Sequence, residues 1–150
     1  MPLLDDRVRK QVQEALAGLS RRVKLLLFTQ GEGGALECSY CEETRNLAQE
    51  VAALSDRLSL EVRDLVADEV LAKAHGVDKI PAIVLLGDEG AGGRDYGIRF
   101  YGIPAGYEFS TLIEDLRMVA AGEPKLTPDT TAFLTALKEP LHLQVFVTPT

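Results

Sequence analysis

A chain of 150 residues that is 46% hydrophobic and 26% charged has the balance of one folded domain with a sizeable core, which excludes disorder as its default state. Its formal charge of -7 and sequence pI near 4.8 argue against a nucleic-acid or anionic-membrane surface, because either needs clustered Lys and Arg facing phosphate. Residues 1–6 hold no cationic stretch ahead of an apolar core, and no run approaches bilayer-spanning length, so a cytoplasmic protein with no membrane partner is expected.

Val8, Val12, Ala15, Leu16 and Leu19 recur at helical spacing behind Asp5 and Asp6, whose charge suits a helix N-terminus, and Gly18 and Ser20 close that helix. Residues 23–29 form an almost unbroken apolar run, the pattern of a central strand buried on both faces. The Gly-rich residues 30–35 then read as a flexible loop. Cys38 and Cys41 open the next helix, whose Leu47, Val51 and Leu54 share a face. A second strand is expected at 58–66, with Leu58, Leu60 and Val62 alternating. Asp68 is placed to cap a short helix running to His75, with Val70, Leu71 and Ala74 inward and Gly76 as its stop.

Residues 80–86 read as the third strand, 87–93 as a turn and 98–103 as the fourth strand. Phe109, Leu112, Ile113, Leu116, Val119 and Ala120 give the best helical stripe in the chain. The order is that of an α/β domain with a crossover connection, without repeats. Thr127, Pro128 and Asp129 then start a further helix that Pro140 ends, and residues 141–147 read as one more strand.

The two cysteines are too few for the stapled framework of a small secreted domain. A cysteine reacts as its thiolate, which a helix N-terminus favours. Cys38 at that end should be exposed and nucleophilic. Cys41, one turn into the helix, should be more buried and close enough to resolve a mixed disulfide on Cys38. Glu37, Glu42 and Glu43 oppose the thiolate, though solvent and salt screen them. Zinc is the rival reading of a Cys-x-x-Cys pair. It needs about four ligands, and beyond the pair only His75 and His142 are offered, so no metal and no cofactor is expected. A purely structural clip is disfavoured because so small a loop removes little chain entropy. Tyr40, between the cysteines with Ser39, either offers an aromatic face to a bound chain or packs half-buried. His75 and His142 are read as surface or partner-facing residues without a catalytic role.

Cys38, Ser39, Tyr40 and Cys41, the pair Ile80 and Pro81, residues 100–109 and residues 145–150 resemble the protein disulfide oxidoreductases. That glutaredoxin-like family of bacteria and archaea joins two thioredoxin-fold units in one chain. The resemblance covers nearly the whole sequence. It implies an α/β, thioredoxin-like fold: a central mixed sheet flanked by helices, with an extra C-terminal helix and strand. It also implies thiol-disulfide exchange with protein substrates through Cys38 and Cys41, with electrons from a thioredoxin-reductase-like donor or a thiol pool. In thioredoxin-fold enzymes the proline at the place of Pro81 is cis and faces the cysteines, so Ser39, Tyr40, Ile80 and Pro81 are the expected substrate-binding residues; the plainer reading of Pro81 is strand punctuation. Glu32 or Asp64 is a candidate for the acid that takes a proton from Cys41 in some relatives of the fold, and Glu32 also reads as a solvated loop residue.

The stretch 145–150 resembles the first strand of the family's second unit. Residues 1–122 are therefore read as an N-terminal unit, and 123–150 as a linker helix with the first strand of a truncated second unit. Residues 31–36 look longer than the family's usual step from strand to cysteines. Apolar alternation in Leu141, Leu143, Val145 and Val147 on an unpaired strand suggests a homodimer or a swapped tail. Two rivals stand beside exchange chemistry: an interaction module whose catalysis resides in a second unit, and a glutaredoxin that uses glutathione.

Overall fold

The computed structural model describes residues 2–31, 34, 36–88 and 92–148. The chain begins with α1 (Asp6–Leu16), where the Asp5 carboxylate caps the Val8 amide at 2.8 Å. It runs into β1 (Val23–Thr29), whose side chains are almost all buried, as a central strand requires. α2 (Cys41–Ala52) carries the chain over to β2 (Leu58–Asp64), which pairs parallel to β1 with Val23 opposite Leu58 and Thr29 opposite Asp64. Parallel neighbours cannot be joined by a tight turn, and α2 supplies the crossover.

After α3 (Glu69–Ala74) come β3 (Ala82–Gly87), antiparallel to β1 with Phe28 opposite Ala82, and β4 (Arg94–Tyr101), antiparallel to β3 with Ala82 opposite Tyr101. The mixed sheet has the order β2-β1-β3-β4. α4 (Tyr107–Ala121) and α5 (Pro128–Ala136) follow.

Alternation along β1 divides the core in two. Val23, Leu25 and Leu27 join Ile83, Leu85 and Phe100 under α1, α2 and α4. Leu26 and Phe28 join Ala82, Val84 and Leu86 on the opposite face, where Ala72 of α3 and Val77 close the layer. The expected mixed sheet flanked by helices is therefore present.

Several local expectations are corrected. In α3, Val70 is 84% exposed and Ala74 is exposed, while Ala72 is buried at 1%. Asp68 makes no side-chain cap; its carboxylate turns back and accepts the Asp64 amide at 3.1 Å. β4 starts at Arg94, earlier than the apolar pattern suggests, because an edge strand next to solvent tolerates Arg94 and Asp95 opposite Gly87 and Leu86. The C-terminal helix forms, but residues 141–148 join no sheet. Leu143, Val145, Phe146 and Val147 are 80%, 85%, 89% and 82% exposed. Apolar alternation chooses a face only once a strand has a hydrogen-bonding neighbour, and here neither sheet edge, β2 or β4, takes that role. Among the described residues, no helix is long and apolar enough to cross a membrane.

Candidate redox site

The pairing register places three connections at one end of the sheet. β1 leaves it at Thr29 toward the cysteine loop. β3 enters at Ala82, directly after Pro81, and β4 leaves at Tyr101. The Ile80–Pro81 peptide bond is cis, and the Pro81 carbonyl accepts the Gly102 amide at 2.9 Å, joining two of these connections. Ile80, partly buried, packs against the core cluster of Leu26, Phe28 and Ala82 on the α3 side of the sheet.

Cys38 and Cys41 are joined by a disulfide with their Cα atoms 5.5 Å apart. Cys41 is only 7% exposed and Cys38 is partly exposed. The helix begins at Cys41 itself, with Tyr40 in the N-cap position, so Cys41 occupies the first helical position and not a place one turn inside. No side chain caps this end, which leaves the first-turn amides to favour negative charge at the sulfurs. Tyr40 is 58% exposed, which decides between its two readings in favour of an aromatic face turned to solvent. Ser39, Glu37, Glu42 and Glu43 are exposed around it.

Beside the disulfide lies a cleft of about 470 Å³, lined by Cys38, Cys41, Gln30, Gly31, Glu42, Arg45, Asn46 and Gln49. The sequence reading missed Arg45. Its signal was the spacing, since a residue four beyond Cys41 lies on the same helix face and leans back toward it. Arg45 Nη2 donates to Thr29 Oγ1 at 3.2 Å and to the Gln30 carbonyl at 3.4 Å, which pins α2 against the end of β1.

Asp64 closes the far side of the loop entrance. Its carboxylate accepts the Gly31 amide at 2.7 Å, the Val66 amide at 2.8 Å and the Ala67 amide at 2.9 Å. These amides, Ala67 first, then Gly31 and Val66, hold its pKa below the usual carboxylate value. A group so held is a poor proton acceptor, and Asp64 acts as a loop clamp. Glu32, the other candidate, and the middle of the loop at 32, 33 and 35 lie outside the described residues.

His75 is used elsewhere. Its Nδ1 meets Asp95 Oδ2 at 2.8 Å, and its carbonyl accepts Arg99 Nε at 3.0 Å. Arg99 also grips Asp95 through both terminal nitrogens, and this guanidinium, with His75 and the Gly97 amide, holds Asp95 far below the usual carboxylate range against the opposing effect of burial. His142 is exposed on the tail. Among the described residues, no group of three or more His, Cys, Asp or Glu side chains is arranged to hold a metal ion.

No family model matches the chain, and no curated protein matches it. Solved structures do. The chain is similar to the NTD_N/C domain of the alkylhydroperoxide reductase AhpF from Enterococcus faecalis, at 26% identity and a TM-score of 0.77 over 91% of this chain and 62% of that one. A structure of a mutant AhpF subunit from the same organism aligns at 26% identity and 0.76, over 89% of this chain and 61% of that one. A protein disulfide oxidoreductase from Aeropyrum pernix aligns at 25% identity and 0.74, over 91% of this chain and 57% of that one. The chain thus spans less than two thirds of the length of each of these three proteins. Its fold is thioredoxin-like, similar to these thiol oxidoreductases, and it carries a Cys-x-x-Cys disulfide between Cys38 and Cys41.

Proposed function

We propose that the chain is a protein disulfide oxidoreductase in which Cys38 attacks and Cys41 resolves. The observation that carries this reading is the asymmetry of the pair: Cys38 is partly exposed, while Cys41 is buried at the first position of an uncapped helix. In the reducing direction the Cys38 thiolate attacks one sulfur of a substrate disulfide. A mixed disulfide forms, and the other substrate sulfur leaves as a thiolate that takes up a proton. Cys41, once deprotonated, attacks Cys38 sulfur, the second substrate thiolate departs, and the Cys38–Cys41 disulfide closes. Two electrons pass from the dithiol to the substrate. A thioredoxin-reductase-like donor or a thiol pool reopens the pair, and the reverse sequence oxidises a substrate dithiol.

Exposed Ser39 and Tyr40 supply one wall for a bound chain, and Ile80 and Pro81, at the same end of the sheet, supply the other. Residues 1–122 are the catalytic unit in this reading, with 123–150 as linker and the beginning of a second unit. Insulin reduction with dithiothreitol tests it: the parent accelerates chain precipitation, and Cys38→Ser falls to the uncatalysed rate. Equal turnover by both would show that the dithiol is not catalytic.

A further inference from the structure

The cleft beside the disulfide holds an arginine, Arg45, that has no acidic partner among the described residues. Among the described residues, no carboxylate lies within ion-pairing distance of Arg45, although the chain has 23 acids against 16 bases and Glu42 lines the same cleft. Its two hydrogen-bond acceptors, the Thr29 hydroxyl and the Gln30 carbonyl, are neutral. They fix the guanidinium in place without neutralising it. Among the described residues, Arg45 Nε and Gln30 Oε1 are buried atoms with no hydrogen-bond partner, as is Thr44 Oγ1 on the same helix. Arg45 lines the cleft and is only partly buried, so its terminal N–H groups, not the shut-off Nε, are what a ligand there can meet. Gln30 lies against Gly34, where a Cβ would collide with its side chain.

We propose that Arg45 forms an anion subsite of the disulfide cleft, which favours substrates that carry a carboxylate close to the reacting sulfur, as an acidic or C-terminal peptide segment does. The carboxylate meets the terminal N–H groups of the guanidinium. A planar guanidinium with free N–H groups suits a carboxylate better than an ammonium does. The inference rests on the exchange chemistry proposed above and concerns which disulfides enter it. Cys38 and Cys41 still supply both electrons, and each departing substrate thiolate still takes up one proton.

The test is single-turnover oxidation of the pre-reduced protein by three small disulfides with the same two-carbon arm: dithiodipropionate, hydroxyethyl disulfide and cystamine. Each rate is divided by that disulfide's rate with free dithiothreitol. The expected result is a preference of roughly five- to tenfold for the carboxylate over the neutral disulfide, with the cationic one slowest. Arg45→Gln should bring the carboxylate preference to about one, and Arg45→Lys should keep part of it. In the parent, added salt should erode the preference, which keeps the idea testable should the glutamine variant fail to fold. A parent that favours cystamine or treats all three alike overturns the subsite while exchange stands, as does a preference undiminished in Arg45→Gln. A parent that reacts with none of them overturns the exchange reading as well.

Discussion

The Asp64 carboxylate accepts the Gly31 amide at 2.7 Å and so ties the entrance of the cysteine loop to the end of β2. Because Thr29 and Asp64 are register partners, the clamp lies one residue beyond Gln30, where β1 stops directing the chain. The amides that hold Asp64 below its ordinary pKa define a pH window. With the folded value depressed, the stabilisation is present above the unfolded pKa of about 3.9 and is lost as pH falls through the folded value. Asp64→Asn should therefore speed hydrogen exchange at Gly31, Val66 and Ala67 several-fold at neutral pH. The parent should approach the variant only in strong acid.

Asp115 has the opposite sign. Burial on α4, with Glu114 beside it, raises its pKa. Ionised Asp115 thus costs stability above its folded pKa, and the cost vanishes below the unfolded value of about 3.9. Asp115→Asn should raise the urea midpoint at neutral pH and leave it unchanged near pH 3.

Phe28, fully buried beneath α3, and Val70, 84% exposed on α3 itself, test how the thinner side of the core is assigned. Phe28→Ala should cost about 3–5 kcal/mol in denaturant unfolding. Val70→Ala should stay within about 0.5 kcal/mol. A large loss at Val70 would show that this side chain is covered in solution.

Residues 123–148 are exposed throughout, and α5 buries none of its side chains. A chain ending at Gly122 should therefore unfold at the parent's denaturant midpoint and keep the parent's insulin turnover. A lowered midpoint would place part of the tail in the fold.

The features that could be read from sequence are those in which local pattern and tertiary setting agree. β1 was legible because a strand buried on both faces has to be apolar along its whole length. The cysteine pair was legible because its spacing and its place after a strand and loop both point to a helix N-terminus. α3 misled because six residues hold too few turns for periodicity to separate Val70 from Ala72. The strand expected in the tail failed for a different reason: alternation describes a strand's two faces and says nothing of a partner edge. Arg45 was hidden because its hydrogen-bond partners, Thr29 and Gln30, precede it by about four turns' worth of residues and meet it only when α2 folds back on β1.

Mapping the trapped intermediate tests the central claim most directly. Reduced Cys41→Ser, mixed with a peptide disulfide, quenched in acid and digested for mass spectrometry, should carry one peptide on Cys38. Reduced Cys38→Ser should carry almost none on Cys41. Equal labelling of Cys41 in the second variant, or no adduct in the first, would contradict the assignment of Cys38 as the attacking sulfur.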